Sequence, residues 1–498
     1  MQNYTIVQIG QLTPILPVGV VLATALVLVL IDAFGYGRRG TTIAGVGMVG
    51  VALSAIALVA SFPVHSVSGF GGALRYDGFS ALVGLAVLLL LFLTLLMSPP
   101  FLRRMRIRGY EYYPLLLLSA SGMMLLPMMR ELISVVVGIE LVSIPLYILA
   151  GYNRRSEESK EAALKYFLLG AFASAILLYG AAFIYGSTGS LWLMGIADAI
   201  PLLSDRWMLL LGLGLFLVGF GFKVALFPFH VWVPDVYEGS PSTVVAFMSG
   251  AVKLALFAVL IKVLLGGFAD LDAFWKVLFI WLSAATMLGG NLLALHQMSL
   301  KRLLAYSTIA HSGYLALGVV AATPQATSAM LFYLLAYAAA AIGVFAIIAA
   351  LVGPHRDDVD MDDVRGIART QPGVAFLVTV MMLSLAGIPP TAGFLAKFYL
   401  FWEVYQAGYI GLVIFAIVNS MISVYYYLRV IMAMYLLPAP GEEVPSSPGS
   451  DEAAVGTARV LPAVAWHQYL VGVVSVLIIL AMGVVPGLLL YLLNTYHA

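Results

Sequence analysis

Apolar runs of about 20 residues, separated by short polar or Gly/Pro-containing joints, recur along the whole chain, and that is the length at which a helix crosses bilayer hydrocarbon. Reading each run between charges, Gly/Pro clusters and amphipathic aromatics predicts about fourteen helices. They fall over 14–33, 41–62, 79–97, 112–129, 131–150, 162–186, 207–229, 242–266, 273–295, 303–322, 327–352, 373–406, 409–435 and 466–490. The runs 327–352 and 373–406 are long for straight spans, which predicts tilt or a break in each. In the second, Gly387, Pro389, Pro390 and Gly393 stand just before Lys397; a proline there removes a backbone donor and clashes with the preceding turn. Pro228, shortly after Lys223, predicts a similar interruption. Backbone groups freed at membrane depth must be met by protein or water, so hydrated space is expected beside each of these lysines.

The composition fits the pattern. With 62% hydrophobic and 10% charged residues among 498, the chain reads as an all-α polytopic membrane protein. A net charge of +1 gives no sign of nucleic-acid binding, but the distribution of cations is informative. Joints after odd-numbered helices hold Arg38, Arg39, the run RRMRIR, Arg154, Arg155, Lys160, Lys301, Arg302, Arg356, Arg365, Arg369 and Arg459. The opposite joints hold only Arg75, Arg130 and Arg206, with Lys262 and Lys276 near helix ends. The positive-inside rule then predicts both termini on the non-cytoplasmic side. The first thirteen residues carry no Lys or Arg, so the first span reads as retained rather than as a secretory signal.

Against this background four ionisable residues lie deep in apolar runs: Glu140, Lys223, Lys253 and Lys397. Each would cost roughly 2.5 to 3.5 kcal/mol at the centre of an isolated membrane helix, so each needs a partner or polar surroundings. Glu140 is near the middle of its run, and Lys223 is its expected partner. Lys253 is about 17 Å into its helix at 1.5 Å per residue, again near mid-depth. Burial lowers a lysine's proton affinity while a nearby carboxylate raises it, so varying the Glu140–Lys223 separation would switch proton affinity. The plainer readings are a structural ion pair for Glu140 and Lys223, and lysines satisfied by backbone carbonyls at helix breaks for Lys253 and Lys397. His311 in YSTIAHSGY is a relay candidate, or else a hydrogen-bonded core histidine. Lys262 is expected to snorkel to the interface, Lys276, Glu403 and Arg429 to be interfacial, His230 to belong to a loop, and Lys165 to pair locally with Glu161.

The interval from Glu140 to Lys223 nearly equals that from His311 to Lys397, each pair offset by five helices from the other, which suggests inverted repeats. Residues 1–110 read as accessory helices, 111–435 as the charge-bearing core, and 436–498 as a flexible cytoplasmic loop with the last span. No cysteine is present, which excludes disulfides and cysteine-held iron–sulfur clusters or zinc in this chain. No phosphate loop, dinucleotide fingerprint or clustered metal ligands occur, so no cofactor or metal is assigned to it.

The segments FKVALFPFHVWVPDVYEGSPS, SGAVKLALF, KRLLAYSTIAHSGY and LAGIPPTAGFLAKFY resemble the antiporter-like proton-pumping subunits of respiratory complex I. The resemblance extends from about residue 112 to 435. A lysine at 397 is similar to the N-type or L-type, and the lack of a long amphipathic helix after the last span favours the N-type. The resemblance implies a prokaryotic plasma membrane complex that passes electrons from NADH or a related donor to quinone. FMN and iron–sulfur clusters would then lie in other membrane and peripheral subunits, which are this chain's expected partners. It further implies Glu140 and Lys223 as a modulating pair, Lys253 as a central relay and Lys397 as the relay toward the far side. The same core is shared by Mrp-type cation/proton antiporters and membrane-bound hydrogenases. A stand-alone transporter and a purely structural membrane scaffold are the rival readings.

Overall fold

The structure, a computed structural model, describes residues 13–34, 40–63, 65–107, 109, 111–353, 356–438 and 462–496. Most of the first thirteen residues and the Pro/Gly/Ser-rich stretch from residue 439 to 461 therefore lie outside the described residues. Among the described residues, eleven helices are long and apolar enough to cross a membrane. The three other expected spans are built from shorter pieces. Tyr112–Leu125 continues through a 3-10 turn to Met128, Trp207–Lys223 stops short, and Pro372–Ala386 is followed by a separate Ala392–Gln406. The described β-structure is one small antiparallel hairpin, Val67–Gly69 with Leu74–Tyr76.

Three helices form the centre. Ser242–Gly267, Leu300–Ala321 and Pro324–Leu351 are almost wholly surrounded by protein, whereas Leu16–Ala33, Glu157–Thr188 and Ile410–Tyr435 keep most of their surface outward. The outward faces carry large apolar side chains such as Phe172, Trp281 and Met421, as contact with lipid requires. A helix with apolar residues all round is suited to the interior position. The polar positions of the central helices face one another instead of lipid.

Several boundaries depart from the sequence reading. Of the tilt or break expected in the run 327–352, no break is present: Pro324–Leu351 is one uninterrupted helix, with no proline or glycine pair inside it and small alanines that allow close packing on all sides. The helix expected over 79–97 extends as Gly78–Arg104 through Pro99 and Pro100, where the Ser98 hydroxyl donates to the Thr94 carbonyl at 2.6 Å. The expected last span 466–490 divides into Trp466–Val484 and Gly487–Thr495 at Pro486. A stretch of π-helix, Met248–Val252, interrupts the central helix Ser242–Gly267 immediately before Lys253. It lies where Ser249, Gly250 and Ala251 meet the alanine face of Pro324–Leu351; a Cβ on Gly250 would stand 2.9 Å from that of Ala338.

Close backbone approach also fixes Lys223. A Cβ at Gly180 would come within 2.5 Å of the Phe216 nitrogen, and one at Gly219 within 2.6 Å of the Ala173 carbonyl oxygen. Glu157–Thr188 and Trp207–Lys223 therefore pack backbone to backbone, in the manner of small-residue membrane interfaces. That contact brings the end of the second helix beside Ser174 on the first.

Candidate functional site

Lys223 is the last residue of its helix, and the chain then turns away. The carbonyls of this last turn are already occupied: Phe220 accepts from the Val224 N–H, Gly221 from Leu226, and Phe222 from Ala225 and from the Trp232 indole. With no free helix carbonyl to take, the ammonium reaches sideways. It donates to Glu140 Oε1 at 3.2 Å, Tyr147 Oη at 3.0 Å and Ser143 Oγ at 3.3 Å, which accounts for its three N–H bonds. Ser174 donates to the same Glu140 oxygen. The side chain of Lys223 is 4% exposed and that of Glu140 27% exposed, so the pair has one closed and one open end. The predicted partnership is present as a direct contact.

Lys253 is held without any carboxylate. Its ammonium donates to the Thr308 carbonyl and to Ser312 Oγ at 2.6 Å, and lies 5.3 Å from the centre of the Tyr337 ring. Thr308 and Ser312 are one turn apart on Leu300–Ala321, with His311 between them. The His311 ring shares a 2.8 Å hydrogen bond with Tyr333 through Nδ1 and one of 3.2 Å with Tyr427 through Nε2. His311 is thus a hydrogen-bonded core residue, the second of the two readings the sequence left open.

Lys397 is placed by the break expected from the Gly/Pro cluster. The helix Pro372–Ala386 ends in Gly387, whose φ of +84° is a left-handed conformation that favours glycine. Its last carbonyls, Leu385 and Ala386, accept from the Lys397 ammonium at 3.2 and 2.8 Å, and Ser420 Oγ accepts at 2.8 Å. The negative end of the helix dipole takes the place of a counter-ion. A cavity of about 510 Å³ opens beside Lys397 between Ala392–Gln406 and Ile410–Tyr435. Its walls are largely aromatic and aliphatic, including Phe394, Phe398, Trp402 and Met421, so the expected polar space takes the form of a mainly apolar cleft with Lys397 and Ser420 at its polar edge.

His311 and Lys397 border a second, much smaller cavity of about 10 Å³, the scale of one water molecule. A longer polar route also joins them. Tyr427 packs against Tyr426 with the rings tilted, Tyr426 donates to Asn291, Asn291 donates to the Tyr314 oxygen at 3.1 Å, and Lys397 sits 5.4 Å over the Tyr314 ring. At the other end, the hydrogen bonds of the Glu140–Lys223 pair stay within its own three helices. The interval to Lys253 is filled by aromatic side chains: Tyr147 meets Tyr166 edge-on at 4.7 Å, Tyr166 stacks on Trp232 at 4.6 Å, and Tyr237, on the same short helix as Trp232, approaches Thr308.

The sequence reading missed other charges. Lys301, expected in a basic joint, is fully buried and donates to the carbonyls of Ser240 and Asp357 at 2.7 and 2.8 Å. Asp357 accepts from the backbone and hydroxyl of Ser242, and burial raises its carboxyl above the ordinary range although Lys301 opposes the shift. Lys165 does pair with Glu161 at 2.6 Å, but it also reaches Asp235 at 2.5 Å; Arg302 then links Asp235 to Glu238. Lys262, near the end of its helix as expected, has a fixed partner there. It binds Asp77 at 2.8 Å and the Pro127 carbonyl at 2.9 Å, because the N-terminus of Gly78–Arg104 presents a carboxylate within reach. Lys276 pairs with Asp272, Arg429 caps the carbonyls of Leu295 and Gln297, and His230 lies buried in the turn after Lys223. Among the described residues no group of three or more His, Cys, Asp or Glu side chains could hold a metal ion.

The family described as NADH:quinone oxidoreductase/Mrp antiporter, TM, matches residues 130–423, which include all five predicted site residues. A protein of Trichlorobacter lovleyi named NADH-quinone oxidoreductase subunit N is 42% identical over 87% of this chain and 89% of its own length. A protein of the same name from Desulfovibrio desulfuricans is 40% identical over 98% and 97%. Among solved structures, a chain of respiratory complex I from Thermus thermophilus superposes with a TM-score of 0.78 at 37% identity, covering 96% of this chain and 99% of that one. A chain of the Mrp complex from Dietzia sp. gives a TM-score of 0.83 at 25% identity, over 98% and 97%. Matched through its core by the family and along nearly its whole length by these relatives, the chain belongs to the NADH:quinone oxidoreductase/Mrp antiporter family of transmembrane proteins, in the branch of the subunit N proteins.

Proposed function

We propose that the chain moves protons across a prokaryotic plasma membrane as the N-type subunit of an NADH:quinone oxidoreductase, with Glu140, Lys223, Lys253, His311 and Lys397 as its proton-carrying stations. The observation that carries this reading is the succession of buried ionisable groups through the interior of the bundle, each held by groups that can donate or accept a hydrogen bond. A structural scaffold has no need of three lysines in its interior, and each would be costly there.

The Glu140–Lys223 attraction has a gross value of about 5 kcal/mol at 3.2 Å and an effective dielectric of 20. Neutralising or displacing Glu140 removes that attraction, and the buried ammonium then favours passing its proton toward the interior. Lys253, with only neutral acceptors, takes and releases the proton without a fixed counter-charge. His311 and Lys397, across a space for one water, carry it toward the second helix break. The basic joints face the cytoplasm and the termini the opposite side, as the positive-inside rule favours. Residues 1–110 act as accessory helices beside the 111–435 core. NADH, FMN, iron–sulfur clusters and quinone belong to the other subunits of the complex.

The alternative, a Mrp-type cation/proton antiporter subunit, shares the core but has less support: identity to the Dietzia Mrp chain is 25%, against about 40% to the subunit N proteins. The test is proton uptake into vesicles by the intact complex. Glu140→Gln and Lys223→Ala are expected to assemble and to lose most of the uptake driven through this subunit. Normal uptake in both assembled variants refutes the reading.

A further inference from the structure

The side of the bundle opposite the basic joints is poor in cations, yet three of them gather in one place. Arg75, Arg130 and Lys262 line a cavity of about 290 Å³ whose only acidic lining residue is Asp77. Asp77 is already committed to Lys262, with both carboxylate oxygens at 2.8 and 3.0 Å from the ammonium. The guanidinium groups of Arg75 and Arg130 have no hydrogen-bond or ion-pair partner among the described residues. The lining thus carries three positive charges against one negative.

The site is built on fixed backbone. Arg75 belongs to the hairpin strand Leu74–Tyr76, and Leu74 pairs with Met129, next to Arg130. The Arg130 N–H donates to the Ala73 carbonyl, and the Arg130 carbonyl accepts from the Leu193 N–H. Two arginines with high rotamer freedom are therefore carried on mutually hydrogen-bonded segments, facing the same space. The cavity lies where Gly78–Arg104 begins and Lys253–Gly267 ends, so it is at the boundary between apolar helices and water. Met128, Leu193 and Leu265 give it an apolar wall.

We propose that this cavity binds a phosphate-bearing anion at the membrane surface, with Arg75 and Arg130 on the phosphate oxygens and, where the phosphate belongs to a lipid, the apolar wall against its glycerol and acyl part. Guanidinium groups match phosphate geometry through paired N–H donors. Basic pockets between membrane helices hold phospholipid head groups by the same chemistry. The phosphate comes either from an anionic phospholipid or from free inorganic phosphate. A carboxylate on a neighbouring subunit is the competing way to satisfy the two arginines, but it would not use the apolar wall.

The experiment uses the intact complex, purified and delipidated in detergent, with thermal stability and bound-lipid content as readouts. Dioleoylphosphatidylglycerol is added in one arm, dioleoylphosphatidylcholine in a second, and inorganic phosphate against chloride at equal ionic strength in a third. Phosphatidylglycerol is expected to stabilise the complex more than phosphatidylcholine does, with its apparent affinity falling about fivefold in Arg75→Gln and again in Arg75→Gln/Arg130→Gln. A response to inorganic phosphate alone, lost in the same variants, assigns the site to free phosphate. Arg75→Gln alone, at an exposed position, keeps the test open if the double variant fails to assemble. No response to either anion, an equal response in wild type and Arg75→Gln, or loss of a neighbouring subunit without any change in anion response overturns the proposal.

Discussion

Lys223 and Lys397 both stand at interrupted helices, yet the two breaks solvate an ammonium in opposite ways. At the first, the Phe220, Gly221 and Phe222 carbonyls of the closing turn each have an N–H partner, and the lysine depends on the Glu140 carboxylate with Tyr147 and Ser143. At the second, the Gly387 turn leaves the Leu385 and Ala386 carbonyls for the lysine, and no carboxylate takes part. A charge held by another charge responds to whatever moves or neutralises its partner. One held by backbone dipoles is insulated from such events. On the relay proposed above, the difference suits the first break to control and the second to receiving the proton.

The largest expected effect breaks the first arrangement. Glu140→Gln leaves a buried ammonium with neutral acceptors only, at a cost of about 3 kcal/mol, the lower end for a broken buried pair because Glu140 is partly open. Thermal unfolding of the intact complex measures it, and adding Lys223→Gln should recover much of the loss. Absence of that recovery would mean that the two residues are not coupled. At the second break, Gly387→Ala should cost about 1 to 3 kcal/mol, since a side chain there is strained at φ +84°. Its Cβ would also stand 2.9 Å from Lys397 Cδ, pushing the ammonium off its carbonyls. Unaltered melting and pumping in this variant would remove the role given to the turn. Ser420→Ala should be the mildest, about 1 kcal/mol, because two carbonyls still hold Lys397. A loss as large as that of Glu140→Gln would erase the contrast between the two ends.

Much of this was readable from residue order. Length and apolarity located the eleven described helices long enough to span and the apolar segments that form shorter pieces, and the Gly/Pro cluster before Lys397 announced its break, because proline and glycine act on their own backbone. The Glu140–Lys223 contact was inferable since few opposite charges were available at depth. What escaped depends on distant packing. The π-helical turn before Lys253 lies where small residues meet the Ala338 face, and neither segment announces the other. Lys262 was read by its distance from the helix end and Lys301 as a joint cation, but their partners Asp77 and Asp357 come from elsewhere in the chain. The tyrosines around His311 were hidden as ordinary aromatics of apolar helices; Tyr333 and Tyr337, four apart and so on one face, were the available signal.

The central claim is that a proton passes between the two breaks through reversible deprotonation of Lys253. Arginine in its place keeps the charge and hardly ever gives up its proton, so Lys253→Arg separates charge from exchange. Proton uptake into vesicles, measured together with electron transfer by the intact complex, gives protons moved per electron. A lowered ratio in an assembled Lys253→Arg complex is the predicted result, and an unchanged ratio would contradict the relay at its centre.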